Sequence, residues 1–387
     1  QLEYSAFTEA TVPICTFVIQ NQTQSSVGEY IRLEDFKGAD LQPIKVKEAV
    51  KNKVDYRYSC DSKHFKDIPG SPIAYWSSDN INQIFRNNKV IGDLFDVKHG
   101  MSTGKNEVML KKWYEIKRDD INTNASSHAT FEESKSKYAP YNKGGEYRKW
   151  YGNLDTVIRY DKRGKELMQT FPGHRHDNKQ YFFKEGITWS KVTSGKFSVR
   201  YLPKGTIFDV AGCSIYNMQD KIFYTLGFLN SRVLEKIIGT ISATLNYEVG
   251  TIRSLPVKFT ENPKKKDIIE RIVKESVEIS RMDWDSFETS WDFKQHPFLT
   301  FRGEAKTLEE CYANWADHAE KQFQQLKKNE EELNRIFIEL YGLQDELTPE
   351  VPDEEVTVRR ADRVRDAKSF LSYCVGLMMG RYSLDVE

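Results

Sequence analysis

The stretch YNKGGEYRKWYGN, Tyr141 to Asn153, decides how the middle of this chain is read. It holds four aromatic residues, three basic ones, three glycines and two asparagines, with no Leu, Ile, Val or Met. A core segment would repeat aliphatics at the period of a strand or a helix. A plain solvated loop has little use for three Tyr and a Trp. Three roles remain: a nucleic-acid surface, a protein interface, or an aromatic minicore. The surroundings are basic, since residues 135–165 carry nine Lys/Arg against three acids. Cations interleaved with flat rings suit a polynucleotide, which offers phosphates to one and bases to the other. A solvated loop laid over an aromatic minicore accounts for the same residues without a ligand.

Outward from this stretch, 387 residues leave room for two or three domains. Apolar content of 39% and charged content of 29% are ordinary for a soluble globular chain. The net charge is zero, so attraction to a polyanion must come from a local patch rather than a global field. No run approaches the ~20 apolar residues that span a bilayer, so no membrane partner is expected. The opening residues, QLEYSAFTEATVPICTFVIQN, lack the basic start of a signal peptide. They read as a strand already under way, and the expectation is a piece of a longer protein. Five cysteines without C-x-x-C spacing favour free thiols in a reducing cytoplasm, with no metal site.

The expected architecture is α/β mixed. Residues 1–35 read as two strands, one of them VPICTFVIQN. An amphipathic helix follows in KGADLQPIKVKEAVKNKV, and a short helix is capped near Ser78 or Asp79. From VIGDLFDVKHG to GTIRSLPVKF, short strands alternate with glycine turns. Within that region Ile222, Leu226, Leu229, Val233 and Ile237 recur at helical spacing and mark a buried helical pair. Pro263 and Lys264–Lys266 open a mostly helical region. There TLEE at 307–310 forms a capping box. It starts a stripe through Leu308, Cys311, Trp315, Ala319, Gln322, Leu326, Leu333, Ile336 and Leu340, about 34 residues or ~50 Å of helix. A last helix lies in RVRDAKSFLSYCVGLMMGRYS. The segment 122–137, NTNASSHATFEESKSK, reads as a mobile loop.

GMSTGKN (100–106) invites a P-loop reading and fails it. The glycines are one residue too close, and Asn106 stands where Ser or Thr would ligate magnesium. A glycine loop whose amides and short side chains approach a phosphate survives, beside the plainer reading of a turn. HRHDNK (174–179) offers two His and an Asp, too few for a metal. Cys213, in FDVAGCSIYN, has no His partner that sequence can place. The chain contains no Pro-Pro pair, no F-x-G-x-G, no G-x-G-x-x-G, no G-x-S-x-G and no H-E-x-x-H, and so no self-contained catalytic set.

Taken together, EATVPICTFVIQN, SPIAYW, GMSTGKNEVML, YNKGGEYRKWYGN, ITWSKVTSGKFSVRYLPKG, LGFLNSRV, ATLNYEVGTIRSLPV, DWDSFETSWDF and VGLMMGRYSLD resemble the C-terminal half of the bacteriophage-exclusion (BREX) adenine-specific DNA methyltransferases of the PglX type. Residues 91–257 also look like a TaqI-type C-terminal specificity domain. The resemblance implies closing strands of a methyltransferase sheet at 1–35, a connector at 36–90, an α+β target-recognition domain at 91–260, and a helical C-terminal region at 261–387. It implies a parent that binds S-adenosylmethionine and methylates adenine N6 in double-stranded DNA. The cofactor motif and catalytic tetrapeptide would lie upstream, so the piece alone should be inactive. Phe7 matches the position of an aromatic residue that stacks on an extruded adenine, where a ring restores lost stacking. Three DNA-contact sets are expected: Ser102, Thr103, Lys105 and Asn106; Asn142, Lys143, Arg148, Lys149 and Asn153; and Thr188, Ser190, Lys191, Ser194 and Lys196. Tyr147, Trp150 and Tyr151 either share the second set or support it from below. The helical region is open to other proteins of the defence system. The other readings are the recognition half of a type IIG restriction-modification enzyme and a protein-interaction scaffold.

Overall fold

The computed structural model describes residues 15–21, 27–36, 38, 40–193, 195–242 and 246–384. Phe7 and Ser194 lie outside the described residues. The chain divides into two compact units, Gln1–Asn88 and Lys89–Glu387.

In the first unit, strand Val27–Ile31 pairs antiparallel with Arg57–Asp61. Helix Leu41–Lys51 separates them, and helix Asp79–Asn87 closes the unit. Ser78 caps that last helix, its hydroxyl accepting from the Ile81 amide at 3.3 Å, where the sequence expects the cap. Tyr30 stacks on Tyr75 with ring centroids 4.5 Å apart and fastens sheet to loop. Over its described part, residues 15–21, the strand expected through VPICTFVIQN is not seen. Residues 15–21 are irregular, and Phe17, Val18 and Ile19 are exposed. A strand needs a neighbouring ladder, and among the described residues nothing pairs with this one.

The second unit is built on two four-stranded sheets. One has the order Ile207–Phe208, Tyr138–Asn142, Thr156–Arg159, Leu110–Lys112; its first pair is parallel and the rest antiparallel. The other runs Asp96–Lys98, Ser214–Tyr216, Gly186–Trp189, Val199–Leu202, antiparallel throughout. These strands are two to five residues long and several are buried on both faces. They therefore read as short apolar runs rather than alternating ones. Ile187, Trp189, Ile215, Tyr216 and Phe208 are fully buried between the layers.

Helix Ile222–Leu229 is apolar all round and almost wholly buried. Such a helix must be covered on every side. Helix Pro263–Asp285 lies so close that a Cβ on Gly227 would stand 2.7 Å from Val273 Cγ2. Helix Leu308–Tyr341 covers it further through Phe337, whose ring meets Tyr224 and Phe228. The 34-residue helix starts at its capping box: the Glu310 amide donates to Thr307 Oγ1 at 3.2 Å, and the Thr307 amide to Glu310 at 3.2 Å. An expected boundary at 260/261 therefore does not separate two bodies. The covering helices finish the core of the sheet unit, and strand Pro256–Val257 pairs back to Lys89–Val90. The expected mobile loop at 122–137 also differs. His128–Glu133 is a helix with a Ser127 capping box, and Phe131 is buried in an aromatic cluster with Tyr160 and Phe183.

Two histidines are shielded here, His296 fully and His176 in part. His176 shares a 2.8 Å hydrogen bond with the Tyr160 hydroxyl, and His296 Nδ1 accepts from the Phe298 amide at 3.2 Å. Burial is the first cause that lowers both from 6.5 to about 4. In the unfolded chain they take up protons near pH 6.5, and in the folded chain only near pH 4. Their contribution to stability is therefore complete above pH 6.5 and is lost as pH falls toward 4. Urea midpoints at pH 7.5, 5.5 and 4.5 should descend in that order. The variant His296→Asn, which keeps an acceptor but cannot titrate, should flatten the descent.

Candidate nucleic-acid interface

The Tyr141–Asn153 stretch leaves the end of strand Tyr138–Asn142 and turns through Gly144 and Gly145, at φ of 86° and 134°. Asn142 is buried at the start of the turn. Its amide nitrogen donates to Thr188 Oγ1 at 2.6 Å and to the Gly212 carbonyl at 3.1 Å, and its oxygen accepts from the Gly144 amide. Ser190 donates to the Gly145 carbonyl at 2.8 Å. Asn153 Nδ2 donates to the Glu146 carbonyl at 2.9 Å. Asn142, Thr188, Ser190 and Asn153 thus shape the turn from within.

Arg148 and Lys149 are a correction. Expected at a DNA surface, they are 8% and 7% exposed. The Arg148 guanidinium donates to Asp283 at 2.6 Å and to the Tyr151 carbonyl at 2.7 Å, and lies 5.2 Å from the Trp284 ring centroid. Lys149 Nζ pairs with Glu330 at 2.7 Å, and Trp150 Nε1 donates to the other oxygen of the same carboxylate at 2.7 Å. Burial alone would lower the Lys149 ammonium, but Glu330 outweighs it and holds the group above its usual value. Three consecutive residues therefore plug into two long helices. Of the alternatives open for the opening stretch, this part is a fastening. Neighbouring Arg200 is 1% exposed, its Nε has no hydrogen-bond partner, and burial, then Arg148, lowers it to about 10. Nothing in the sequence marks it.

The Gly100–Asn106 loop is held differently. Backbone groups of Ser102 and Arg175 bond in both directions, at 2.9 and 3.0 Å. Thr103 is buried, its hydroxyl donating to Asn106 Oδ1 at 2.7 Å, so it is a brace within the loop. Lys105 and Asn106 are exposed. Asn178 donates to the His99 carbonyl at 2.8 Å, which draws the 174–178 loop alongside. A hollow of about 280 Å³ lies among His99, Arg175, Lys191, Cys213 and Glu248. Lys191 pairs with Glu248 at 2.9 Å on its rim. Lys143 is part-exposed, and its ammonium meets buried Asp209 at 2.9 Å. Lys196 instead lies away from this hollow, bound between Glu235 and Glu355.

Arg175 and Lys191 thus meet at one hollow, and exposed Lys105 and Asn106 stand on the loop that Ser102 pairs to the Arg175 segment. Arg175 escapes sequence reasoning because HRHDNK draws attention only as a metal site. Its backbone link to Ser102 is invisible in sequence. Gly100 sets the floor of the loop, where an added Cβ would collide with the Phe208 carbonyl. Gly100→Ala is expected to cost about 1–3 kcal/mol by forced displacement, read as a lower urea midpoint with the fold retained by circular dichroism.

Fold and site define a mixed α/β protein in which long helices brace a sheet unit that presents polar loops. Among the described residues no group of His, Cys, Asp or Glu is placed to hold a metal, and no helix is long and apolar enough to cross a membrane. No protein-family model matches the chain. It is 37% identical, over 97% of its length, to Adenine-specific methyltransferase PglX of Lacticaseibacillus casei (strain Zhang). It is 33% identical, over 84% of its length, to Adenine-specific methyltransferase BrxX of Escherichia coli O9:H4 (strain HS). The chain is a homologue of these PglX and BrxX adenine-specific methyltransferases. It spans 32% and 27% of their lengths.

Proposed function

We propose that this chain is the C-terminal, target-recognition part of an adenine-specific DNA methyltransferase of a phage-defence system. The parent transfers methyl from S-adenosylmethionine to adenine N6 in double-stranded DNA, and this part grips the site. The observation that carries the reading is the backbone pairing of Ser102 with Arg175, which sets the exposed Lys105 and Asn106 of one loop beside the segment whose Arg175 lines a hollow with half-buried Lys191. Cations of this kind bind phosphate, and the amide of Asn106 can meet a base edge. Lys143 joins them where its pair with Asp209 opens. The kinship to PglX and BrxX supports the chemistry of the parent.

The methyl donor fits no site among the described residues. The one parallel ladder in the four-stranded sheets is the pair Ile207–Phe208 and Tyr138–Asn142. Each strand runs on into bends rather than a helix. There is thus no strand-to-helix turn at its end to cradle a nucleoside cofactor. No transfer step is assigned to these residues, and the chain alone is expected to be inactive.

One observation favours an additional protein partner. Helix Arg363–Met378 exposes Val364, Leu371, Val375 and Met378 along one side. Other proteins of the defence system are the partners that such a stripe would serve.

The test is double-stranded DNA binding by the 387-residue chain across a salt series. Binding whose log affinity falls linearly and steeply with log salt supports the reading. Binding that salt leaves unchanged, or no binding at any salt, overturns it.

A further inference from the structure

A groove of about 1180 Å³ opens where the residues after strand Leu110–Lys112 meet those that follow helices Pro263–Asp285 and Arg363–Met378. It shares no lining residue with the hollow at Arg175. Its volume exceeds the roughly 300–1,000 Å³ that encloses a small ligand, so a stretch of polymer fills it better.

Rings and cations alternate along its wall. Trp113 is fixed by a 2.9 Å bond from Nε1 to the Thr289 carbonyl, and Tyr382 by a 2.9 Å bond from its hydroxyl to Glu288. The Arg381 guanidinium stands among rings, 5.7 Å from the Trp113 centroid, 5.4 Å from Tyr382 and 6.0 Å from Tyr114. Such contacts place the cation, which stays exposed. Two further rings are less engaged. Tyr114 is 49% exposed. Trp291 is half-buried and stacks on no other ring among the described residues. Neither the Tyr114 hydroxyl nor the Trp291 indole N–H has a hydrogen-bond partner there. Of the charged lining residues, Asp292 is the one acid. Arg118, Lys294 and Arg381 are exposed and, among the described residues, in no ion pair. By contrast Arg175 and Lys191, at the hollow, are both paired with carboxylates.

We propose that this groove binds single-stranded DNA, with bases stacked on Trp291 and Tyr114 and phosphates met by Arg118, Lys294 and Arg381. The inference rests on the reading that the parent works on DNA, and it adds a second surface for a different form of that polymer. A duplex turns its base faces inward, so surface rings gain contact only with unpaired nucleotides. Cationic grooves with stacking rings bind such strands with little sequence preference. Unpaired nucleotides arise where a base is taken out of the helix for chemistry. An acidic peptide would use the cations and leave the rings without a planar partner.

Oligothymidylate of about twelve nucleotides, which cannot pair with itself, is titrated into the 387-residue chain and read by tryptophan quenching. Saturable binding that weakens with salt is the expected result. Trp291→Ala and Tyr114→Ala should each weaken it about five- to 150-fold, the loss of one stacked base. Trp291→Phe keeps a ring and should keep most of the affinity. Lys294→Ala should lower the slope of log affinity against log salt by about 0.7. Tyr114 and Lys294 are exposed, so their variants should keep the wild-type urea midpoint, which separates lost binding from lost fold. Lys105→Ala/Arg175→Ala/Lys191→Ala should bind the oligomer as wild type does, and Trp291→Ala should bind duplex as wild type does, so the groove and the loop cluster fail separately. No binding, or equal affinity in wild type and the Trp291→Ala and Tyr114→Ala variants, overturns the assignment. Tighter binding of oligouridylate of the same length overturns it in favour of RNA. Binding of polyglutamate with the thymidylate unbound overturns it in favour of an acidic protein segment.

Discussion

Glu330→Ala should destabilise the protein by about 3–5 kcal/mol, because it strands a buried ammonium. Glu330 is 3% exposed and receives both Lys149 Nζ and Trp150 Nε1 at 2.7 Å. Removing it leaves a cation and an indole N–H without acceptors in the interior. The loss applies in full at neutral pH. The raised Lys149 value in the fold means that the pair contributes below the unfolded value of 10.5 and is lost only as pH rises through the folded one. Urea unfolding at pH 7.5 measures it. The double variant Lys149→Met/Glu330→Gln removes the charge and keeps an acceptor for Trp150, so most of the loss should return. Replacing both members of a buried pair is far less costly than orphaning one. A loss below about 1 kcal/mol in Glu330→Ala would mean that Lys149 swings out to solvent, and would restore it as a surface residue.

That ion pair also explains why the opening stretch misleads. Its composition correctly signals something unusual, since aromatic and basic residues without aliphatics fit neither a simple core nor a simple loop. Composition cannot say whether a cation meets a phosphate or a carboxylate. Asp283 and Glu330 stand on helices 135 and 181 residues further along, and no local spacing points to them. The helices themselves are legible. The Thr307–Glu310 box and the Ser78 cap are local chemistry, and the helical stripes through Ile222–Ile237 and Cys311–Ile336 repeat at close range. The double-sided strands are less so, because a short run such as Gly186–Trp189, buried on both faces, carries no alternation to read. The helix at His128–Glu133 is hidden by its polar neighbours, with one buried Phe131 as its anchor. In the candidate site, Lys105, Asn106 and Lys191 can be found from sequence. Arg175 cannot, because it joins them through backbone pairing with Ser102.

The same distinction decides the DNA experiment. The combined variant Lys105→Ala/Arg175→Ala/Lys191→Ala should lower the slope of log affinity against log salt by about three, at ~0.9 for each phosphate no longer neutralised. Over a tenfold change in salt that difference is on the order of 500-fold. The exposed ion pairs of Lys191 with Glu248 and Arg175 with Asp177 do not oppose this, since such surface pairs are worth about 0–1 kcal/mol and exchange readily for a phosphate. Lys149→Met/Glu330→Gln supplies the control. It removes a cation from the most conspicuous basic stretch of the chain, yet its slope should match wild type, because that cation never reaches solvent. An unchanged slope in the triple variant would sink the loop cluster as the DNA-binding surface. A slope lowered equally in the control would show that the Tyr141–Asn153 stretch opens on binding and that its buried cations exchange carboxylates for phosphates. The two variants therefore separate a surface set for phosphate before DNA arrives from one that DNA itself unfastens.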